Sequence, residues 1–217
     1  ARNKGIKRIR YTTSHPNNFD EQTYLAYKKI PQLVSHLHLP IQSGSDKVLA
    51  AMKRGYTVLE YKSVIRKLKE ARPDITFSSD FIVGFPGETE EDFLKTIEII
   101  KEVNFDQSYS FIYSKRPGTP ASALQDNITL EEKKERLNYL QNTINDLSRE
   151  KSKGILGKTE EILVEGLSSK HNNMVTGRTK NNKIITVPGN KNLIGKILDI
   201  QITELDNRSL KGEILNI

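Results

Sequence analysis

Apolar residues recur at two spacings along the first two thirds of the chain. Alternation at every second residue marks four runs, 8–14, 35–42, 76–85 and 107–114, and predicts strands there. In the second run His36, His38, Pro40 and Gln42 share one face, and Leu37, Leu39 and Ile41 the other. In the first, Arg8, Arg10, Thr12 and Ser14 alternate with Ile9, Tyr11 and Thr13. Ser78 and Asp80 alternate with Phe77, Phe81 and Val83, and Ser108, Ser110 and Ser114 with Tyr109, Phe111 and Tyr113. Helical spacing follows between and after these runs. Tyr61, Val64, Ile65 and Leu68 form one stripe, Phe93, Ile97 and Ile100 a second, and Leu137, Leu140, Ile144 and Leu147 a third. Thr57 with Glu60 and Thr129 with Glu132 are capping boxes, and Thr89 is a candidate N-cap. This order predicts an α/β architecture with a parallel sheet or barrel.

A strand in such a barrel usually buries both faces and reads apolar throughout. Four strands with one polar face each predict a lumen that holds a polar small molecule. After Gly154 the pattern changes to short β-branched runs at 162–165, 174–178, 183–187, 195–204 and 210–214. Asn172-Asn173, Asn181-Asn182, Pro188-Gly189 and Asp206-Asn207 separate them as turns. Five short strands in a row predict a small OB-like barrel. The boundary falls within 153–158, dividing a domain at 1–153 from one at 154–217.

Composition narrows the function classes. Apolar residues make up 35% of the 217 and charged residues 28%, enough for a core and against extensive disorder. The chain has no Cys, which excludes a disulfide scaffold and any thiolate-held zinc or iron–sulfur cluster within it. No apolar run approaches the length of a membrane span, and the start, Ala1-Arg2-Asn3-Lys4, lacks the apolar stretch of a signal peptide. Thirty-four Lys and Arg against 27 Asp and Glu give a net charge of +7. That balance raises the odds of a polyanionic partner such as RNA, but many Lys-rich proteins are as basic and bind none, so charge alone does not assign one. The tail after Gly154 has no Phe, Tyr or Trp, so recognition there rests on phosphate and shape rather than base stacking.

Several residues are candidates for chemistry. His36 and His38 point the same way and have the spacing of paired metal ligands, but no third ligand matches them. Hydrogen-bonding histidines in a polar lumen are the favoured reading. His15 and His171 sit in turn-like contexts. Residues 80–89 run from a strand's C-terminal end into a helix, where α/β folds bind ligands. Gly84 and Gly87 would let a ligand approach the backbone there, or simply form a tight turn. The segment lacks the Gly-Lys-Ser/Thr ending of a phosphate loop. Residues 116–120, Arg-Pro-Gly-Thr-Pro, form a rigid loop that either gates the lumen or ends the strand.

Four segments together resemble the radical SAM methylthiotransferases: Leu37-His-Leu-Pro-Ile-Gln-Ser-Gly-Ser-Asp46, Met52-Lys-Arg-Gly-Tyr56, Ser79-Asp-Phe-Ile-Val-Gly-Phe-Pro-Gly-Glu-Thr89 and Ser108-Tyr-Ser-Phe-Ile-Tyr-Ser-Lys-Arg-Pro-Gly-Thr-Pro-Ala121. The tail, with Val175-Thr-Gly-Arg-Thr179 and Gly195-Lys-Ile197, is similar to a TRAM domain, a small RNA-binding barrel. The resemblance implies a fold of part of a radical SAM (β/α)6-type barrel followed by an OB-like TRAM barrel. The cluster cysteines of that family are absent, so it also implies the C-terminal portion of a longer cytoplasmic enzyme. It implies S-adenosylmethionine and two [4Fe–4S] clusters as cofactors of the whole enzyme, the cluster ligands lying outside this chain. Gln42, Arg54 and Asp80, with Ser43 as a weaker candidate, match the family's contacts to S-adenosylmethionine. An amide and a carboxylate suit ribose hydroxyls, and a guanidinium suits the methionine carboxylate. The implied partners are the anticodon stem-loop of tRNA and an electron donor for cluster reduction, with no membrane. Lys170, Arg178, Lys180, Lys183 and Lys196 are the candidate RNA contacts. The implied reaction is radical methylthiolation of C2 of the N6-isopentenyl-adenosine beside the anticodon. A related enzyme acting on N6-threonylcarbamoyladenosine, or a non-catalytic RNA-binding protein on the same scaffold, are the alternatives.

Overall fold

A computed structural model describes residues 5–13, 15–206 and 209–215. The chain divides into two units, residues 1–147 and 148–217. That division falls inside α5 (Leu130–Lys153), a few residues before the boundary expected from composition. The helix's last turns group with the second unit, where the Ser152 hydroxyl accepts a hydrogen bond from Lys183 Nζ at 3.3 Å.

In the first unit, β1 (His36–His38), β2 (Thr76–Val83) and β3 (Gln107–Ile112) form a parallel sheet in the order β1-β2-β3. Five helices accompany it: α1 (Glu21–Lys29), α2 (Asp46–Ala51), α3 (Val58–Ala71), α4 (Glu90–Val103) and α5. The helical stripes read from sequence are the buried ones. Tyr61, Ile65 and Leu68 of α3, Phe93, Ile97 and Ile100 of α4, and Leu140 and Ile144 of α5 join Leu37, Phe77, Phe81 and Val83 of the sheet in one core. Burial of this surface, at about 25 cal/mol per Å² of apolar area, is the main favourable term.

Two strand expectations need correction. The run 8–14 is not a strand: parallel bridges join Ile9 to Leu33 and Thr12 to His38, and Ser14 lies outside the described residues. Ile9 packs against the core while Arg10, Tyr11 and Thr12 are exposed, so little apolar contact holds the segment flat. The faces of β3 are also the reverse of the expected ones. Its register with β2 sets Tyr109 beside Asp80 and Phe111 beside Ile82. Residues paired across a sheet share a face. The aromatics therefore stand on the open face with Asp80, Tyr109 59% and Phe111 56% exposed. Ser110 turns to the helices, and its hydroxyl accepts from Gln141 Nε2 of α5 at 3.3 Å.

The helix starts are built by side chains, as the sequence indicates. Thr57 and Thr89 cap α3 and α4 in reciprocal boxes with Glu60 and Asp92. Thr129 and Glu132 make the same exchange at α5. Asp92 does more than cap. Its carboxylate accepts from Ser45 Oγ at 2.7 Å, Lys47 Nζ at 3.1 Å, and Thr89 N and Oγ1 at 3.0 and 2.9 Å. Ser45 is itself the N-cap of α2. One carboxylate thus fastens the starts of α2 and α4 together, both at the C-terminal end of the sheet. Burial pushes Asp92 up, but these donors outweigh it and hold the carboxyl well below its ordinary value.

The second unit is a closed barrel of β4 (Thr159–Leu167), β5 (Met174–Thr179), β6 (Ile184–Pro188), β7 (Ile197–Asp206) and β8 (Ser209–Ile214). Its order is β4-β5-β6-β8-β7, with β6 and β8 parallel and the other pairs antiparallel. In strand-number terms that is 1-2-3-5-4, the connectivity of a five-stranded Greek-key barrel of OB type. Ile162, Val164, Val175, Ile185, Val187, Ile200 and Ile202 fill its core. The turn expected at Asp206-Asn207 reaches outside the described residues at Asn207.

Asp92→Ala is expected to cost about 2–4 kcal/mol in urea unfolding, because it strips a cap and leaves the buried Ser45 hydroxyl without its acceptor. The carboxyl is held low in the folded state, so its contribution is present above the ordinary carboxylate value and is lost as pH falls below it. Parent stability should therefore drop on acidification more steeply than that of Asp92→Asn; equal slopes would contradict the network.

Candidate functional site

Gln42 and Asp80 lie at the C-terminal end of β1 and β2, where Gln42 bridges Phe81, and Arg54 is tied to the same stretch through Tyr56. Regular pairing of β1 stops at His38, shorter than the expected 35–42, because Pro40 has no N–H to give. The chain nevertheless stays on β2. Leu39 N donates to Ser78 O at 2.8 Å, Gln42 N to Asp80 O at 2.9 Å, and Ile82 N to Gln42 O at 3.0 Å. Three carbonyls of this irregular stretch are covered by tyrosines. Tyr61 Oη donates to Leu39 O at 2.9 Å, and Tyr56 Oη to Ile41 O at 2.9 Å, with Pro40 O at 3.3 Å. Burial pushes both phenols up, so they stay protonated donors.

Gln42 takes φ +79°. Left-handed backbone at a residue other than Gly costs of order 1–3 kcal/mol and persists only where surroundings over-determine it. Here both peptide groups of Gln42 are fixed to β2, and the result turns the chain from strand into α2. Arg54 is tied to the same stretch. Its Nε donates to Tyr56 Oη at 3.0 Å, and its carbonyl accepts from His15 Nε2 at 2.8 Å. It therefore reaches Tyr56 as well as following α2, and is not only a helix-terminal cap. His15 caps a short 3-10 turn at Pro16–Asn18, as its turn-like context suggested. His171 is exposed.

Asp80 stands on the open face of β2. One carboxylate oxygen lies 3.3 Å from His38 Nε2, and its side chain is 29% exposed. Ser43 differs from its neighbours. Its side chain is fully buried, 3.3 Å from Thr96 Oγ1 of α4, and its hydroxyl accepts from Ser45 N at 3.2 Å. That hydroxyl serves the packing of α4 and is not presented to a ligand. Tyr56, which sequence reasoning missed, is the residue that joins Arg54 to Ile41. Its signal was only its place in Met52-Lys-Arg-Gly-Tyr56.

The turn after β2 is held from behind. Glu88 is buried, its Oε2 accepting from Gly84 N at 2.7 Å and from Arg136 Nη1 of α5 at 2.8 Å. Burial pushes the Glu88 carboxyl up, against the pull of these two donors. Gly84 has φ +67°, and a Cβ there would meet Lys133 Cγ of α5 at 2.3 Å. Gly84 is thus required by the backbone and by helix packing rather than by ligand approach. Gly87, at φ +83°, faces open space. Residues 116–120 close a turn in which the Thr119 hydroxyl donates to Arg116 O at 2.8 Å.

His36 and His38 do share a face, and both contact Ser78 Oγ, at 3.1 and 3.0 Å. Among the described residues no group of three or more His, Cys, Asp or Glu is arranged to hold a metal ion. No helix among them is long and apolar enough to cross a membrane.

The five basic candidates of the barrel do not form one cluster. Arg178, Lys180 and Lys183 lie around the turn from β5 to β6, whereas Lys170 lies in the loop from β4 to β5, at the other end of β5. Arg178 pairs with Glu165 at 2.9 Å and Lys180 with Glu161 at 3.4 Å. Lys170 and Lys196 are exposed and have no carboxylate partner among the described residues.

Residues 1–100 match the radical SAM superfamily and residues 155–215 the TRAM domain. The chain is 54% identical over 211 residues to the tRNA-2-methylthio-N(6)-dimethylallyladenosine synthase of Francisella tularensis subsp. novicida (strain U112), a match covering 97% of this chain and 48% of that protein. The same values hold for the proteins of that name from F. tularensis subsp. holarctica (strain LVS) and subsp. tularensis (strain SCHU S4 / Schu 4). The chain thus spans about half the length of the curated relatives it matches.

The strain at Gln42 gives a direct test. Gln42→Gly should unfold no more easily than the parent, whereas Gln42→Val should lose about 1 kcal/mol or more, because a β-branched residue is a genuine outlier at positive φ. A Gly variant less stable than the Val variant would contradict this backbone.

Proposed function

We propose that this chain, which carries a radical SAM superfamily region and a TRAM domain, is part of an enzyme that methylthiolates the isopentenylated adenosine beside the anticodon of tRNA. The observation that supports the reading most is the placement of Gln42 and Asp80 at one end of a parallel sheet, with Arg54 tied to that end through Tyr56, in a chain 54% identical to proteins named tRNA-2-methylthio-N(6)-dimethylallyladenosine synthase. Ligands of α/β sheets bind at that end.

The residues present fit S-adenosylmethionine. The partly exposed Asp80 carboxylate accepts hydrogen bonds from ribose hydroxyls, and the Gln42 amide can do so from the strained turn beside it. Arg54 supplies the charge complement of the methionine carboxylate, its Nε braced by Tyr56. When bound, S-adenosylmethionine supplies the adenosyl and methyl groups of the reaction. The residues present do not fit an iron–sulfur cluster, since the chain has no Cys. The two [4Fe–4S] clusters of the proposal rest on residues outside these 217, and no step is assigned here through them.

The barrel's part is to hold RNA. In an OB barrel the face of strands two and three and the first loop carry oligonucleotides. Here those are β5, β6 and residues 168–173, which include Lys170. With no Phe, Tyr or Trp after Gly154, the grip is mainly electrostatic, directed at the backbone of the anticodon stem-loop. Lys170 and Lys196 are the strongest candidates, Lys183 the next, and Arg178 and Lys180 are partly neutralised by their glutamates. On this reading the enzyme works with tRNA and an external electron donor in the cytoplasm.

The test uses the full-length protein carrying this segment, loaded with its clusters and given reductant, S-adenosylmethionine and tRNA bearing the isopentenyl group. Nucleoside mass spectrometry should show a methylthio group added to that adenosine, and Asp80→Ala should weaken S-adenosylmethionine binding about tenfold or more with unchanged folding. Modification of tRNA bearing threonylcarbamoyl-adenosine instead would assign the alternative substrate. No modified nucleoside of either kind would leave an RNA-binding role.

A further inference from the structure

On the open face of β1 and β2, four polar side chains form a line: His36, Ser78, His38 and Asp80. His36 Nε2 lies 3.1 Å from Ser78 Oγ, Ser78 Oγ 3.0 Å from His38 Nδ1, and His38 Nε2 3.3 Å from Asp80 Oδ1. For a singly protonated His38 ring, the donor inventory lets these contacts run in one direction only. An ionised carboxylate accepts and does not donate, so the proton of neutral His38 sits on Nε2, facing Asp80. Nδ1 is then an acceptor and takes the single hydroxyl proton of Ser78. The Ser78 oxygen, having given its proton, accepts from His36 Nε2. A ring locked at one nitrogen has its other nitrogen fixed in tautomer and direction, the logic by which a second group orients a functional histidine.

We propose that His38 is a positioning residue for the Asp80 carboxylate, with Ser78 and His36 locking its tautomer. His38 engages Oδ1 and leaves the other oxygen of Asp80 for the ligand. The packing agrees: the His38 ring is only partly exposed and makes a T-shaped contact with Tyr109 of β3, centroids 5.8 Å apart, which limits its movement over β2. Two histidines and a serine on a lumen face are otherwise costly, since that surface gains nothing from apolar burial. The inference rests on the reading of Asp80 as a contact to S-adenosylmethionine.

The experiment measures S-adenosylmethionine affinity by equilibrium dialysis on the cluster-loaded full-length protein and a set of variants. His38→Phe keeps the ring and removes the donor, and affinity should fall about tenfold, the value of one lost hydrogen bond to a charged group. His38→Gln places an amide N–H where Nε2 stood and should restore affinity to within about threefold of the parent. Ser78→Ala unlocks the ring without touching it and should weaken binding by a smaller factor, with Ser78→Thr restoring it. Equal affinity for His38→Phe and the parent, while Asp80→Ala binds poorly, would overturn the positioning role and leave the Asp80 reading intact. Equal affinity for Asp80→Ala and the parent would overturn both. Equal losses in His38→Phe and His38→Gln would mean that the site needs the imidazole for packing, and would also overturn the proposal.

Discussion

Strand β2 is the constraint on which the first unit depends. It lies in the middle of the sheet, paired along its length with β1 and β3, and its two-residue period sends Phe77, Phe81 and Val83 into the helical core and Ser78 and Asp80 to the open face. A slip of one residue against β1 or β3 would exchange these sets, burying a carboxylate and exposing three large apolar side chains. The register that makes the core is therefore the register that presents Asp80. It also carries β1's continuation, because Gln42 and Leu39 take their backbone partners from β2 after Pro40 has ended regular pairing.

Around that strand, the C-terminal end of the sheet is braced by buried charge rather than by apolar packing alone. Asp92 joins the starts of α2 and α4, and Glu88 joins the turn after β2 to Arg136 on α5. Truncating one partner of such a pair is strongly destabilising because it leaves the other uncompensated. The strained glutamine is held at φ +79° by its own backbone bonds to β2.

Much of this was legible in the sequence, and the limits have physical causes. The stripes of α3, α4 and α5 and all three threonine caps could be read because helix periodicity and capping are local. So could the five-strand tail, whose turns are marked by Asn and Gly. The short helices α1 and α2 were missed: α2 spans six residues and has no stripe to read. The faces of β3 were misassigned because alternation alone does not say which face is the core; only its pairing with β2 does. The run 8–14 alternates like a strand yet pairs at two points, since alternation carries no information about a neighbour. Among site residues, Gln42, Arg54 and Asp80 came from motif resemblance; the structure pairs the Gln42 backbone with β2 beside Asp80 and ties Arg54 to Ile41 through Tyr56. Ser43 came the same way and turns inward to Thr96. Tyr56 and His38's contact with Asp80 depend on long-range geometry that spacing does not reveal.

The central claim is that the open face at the end of β1 and β2 receives S-adenosylmethionine while the barrel does not. Hydrogen–deuterium exchange of the full-length, cluster-loaded protein with and without S-adenosylmethionine tests it most directly. Slowed exchange is expected across residues 36–42 and 78–88, with residues 159–206 unchanged. Slowed exchange confined to 159–206, or no change at 36–42 and 78–88 under saturating ligand, would contradict it.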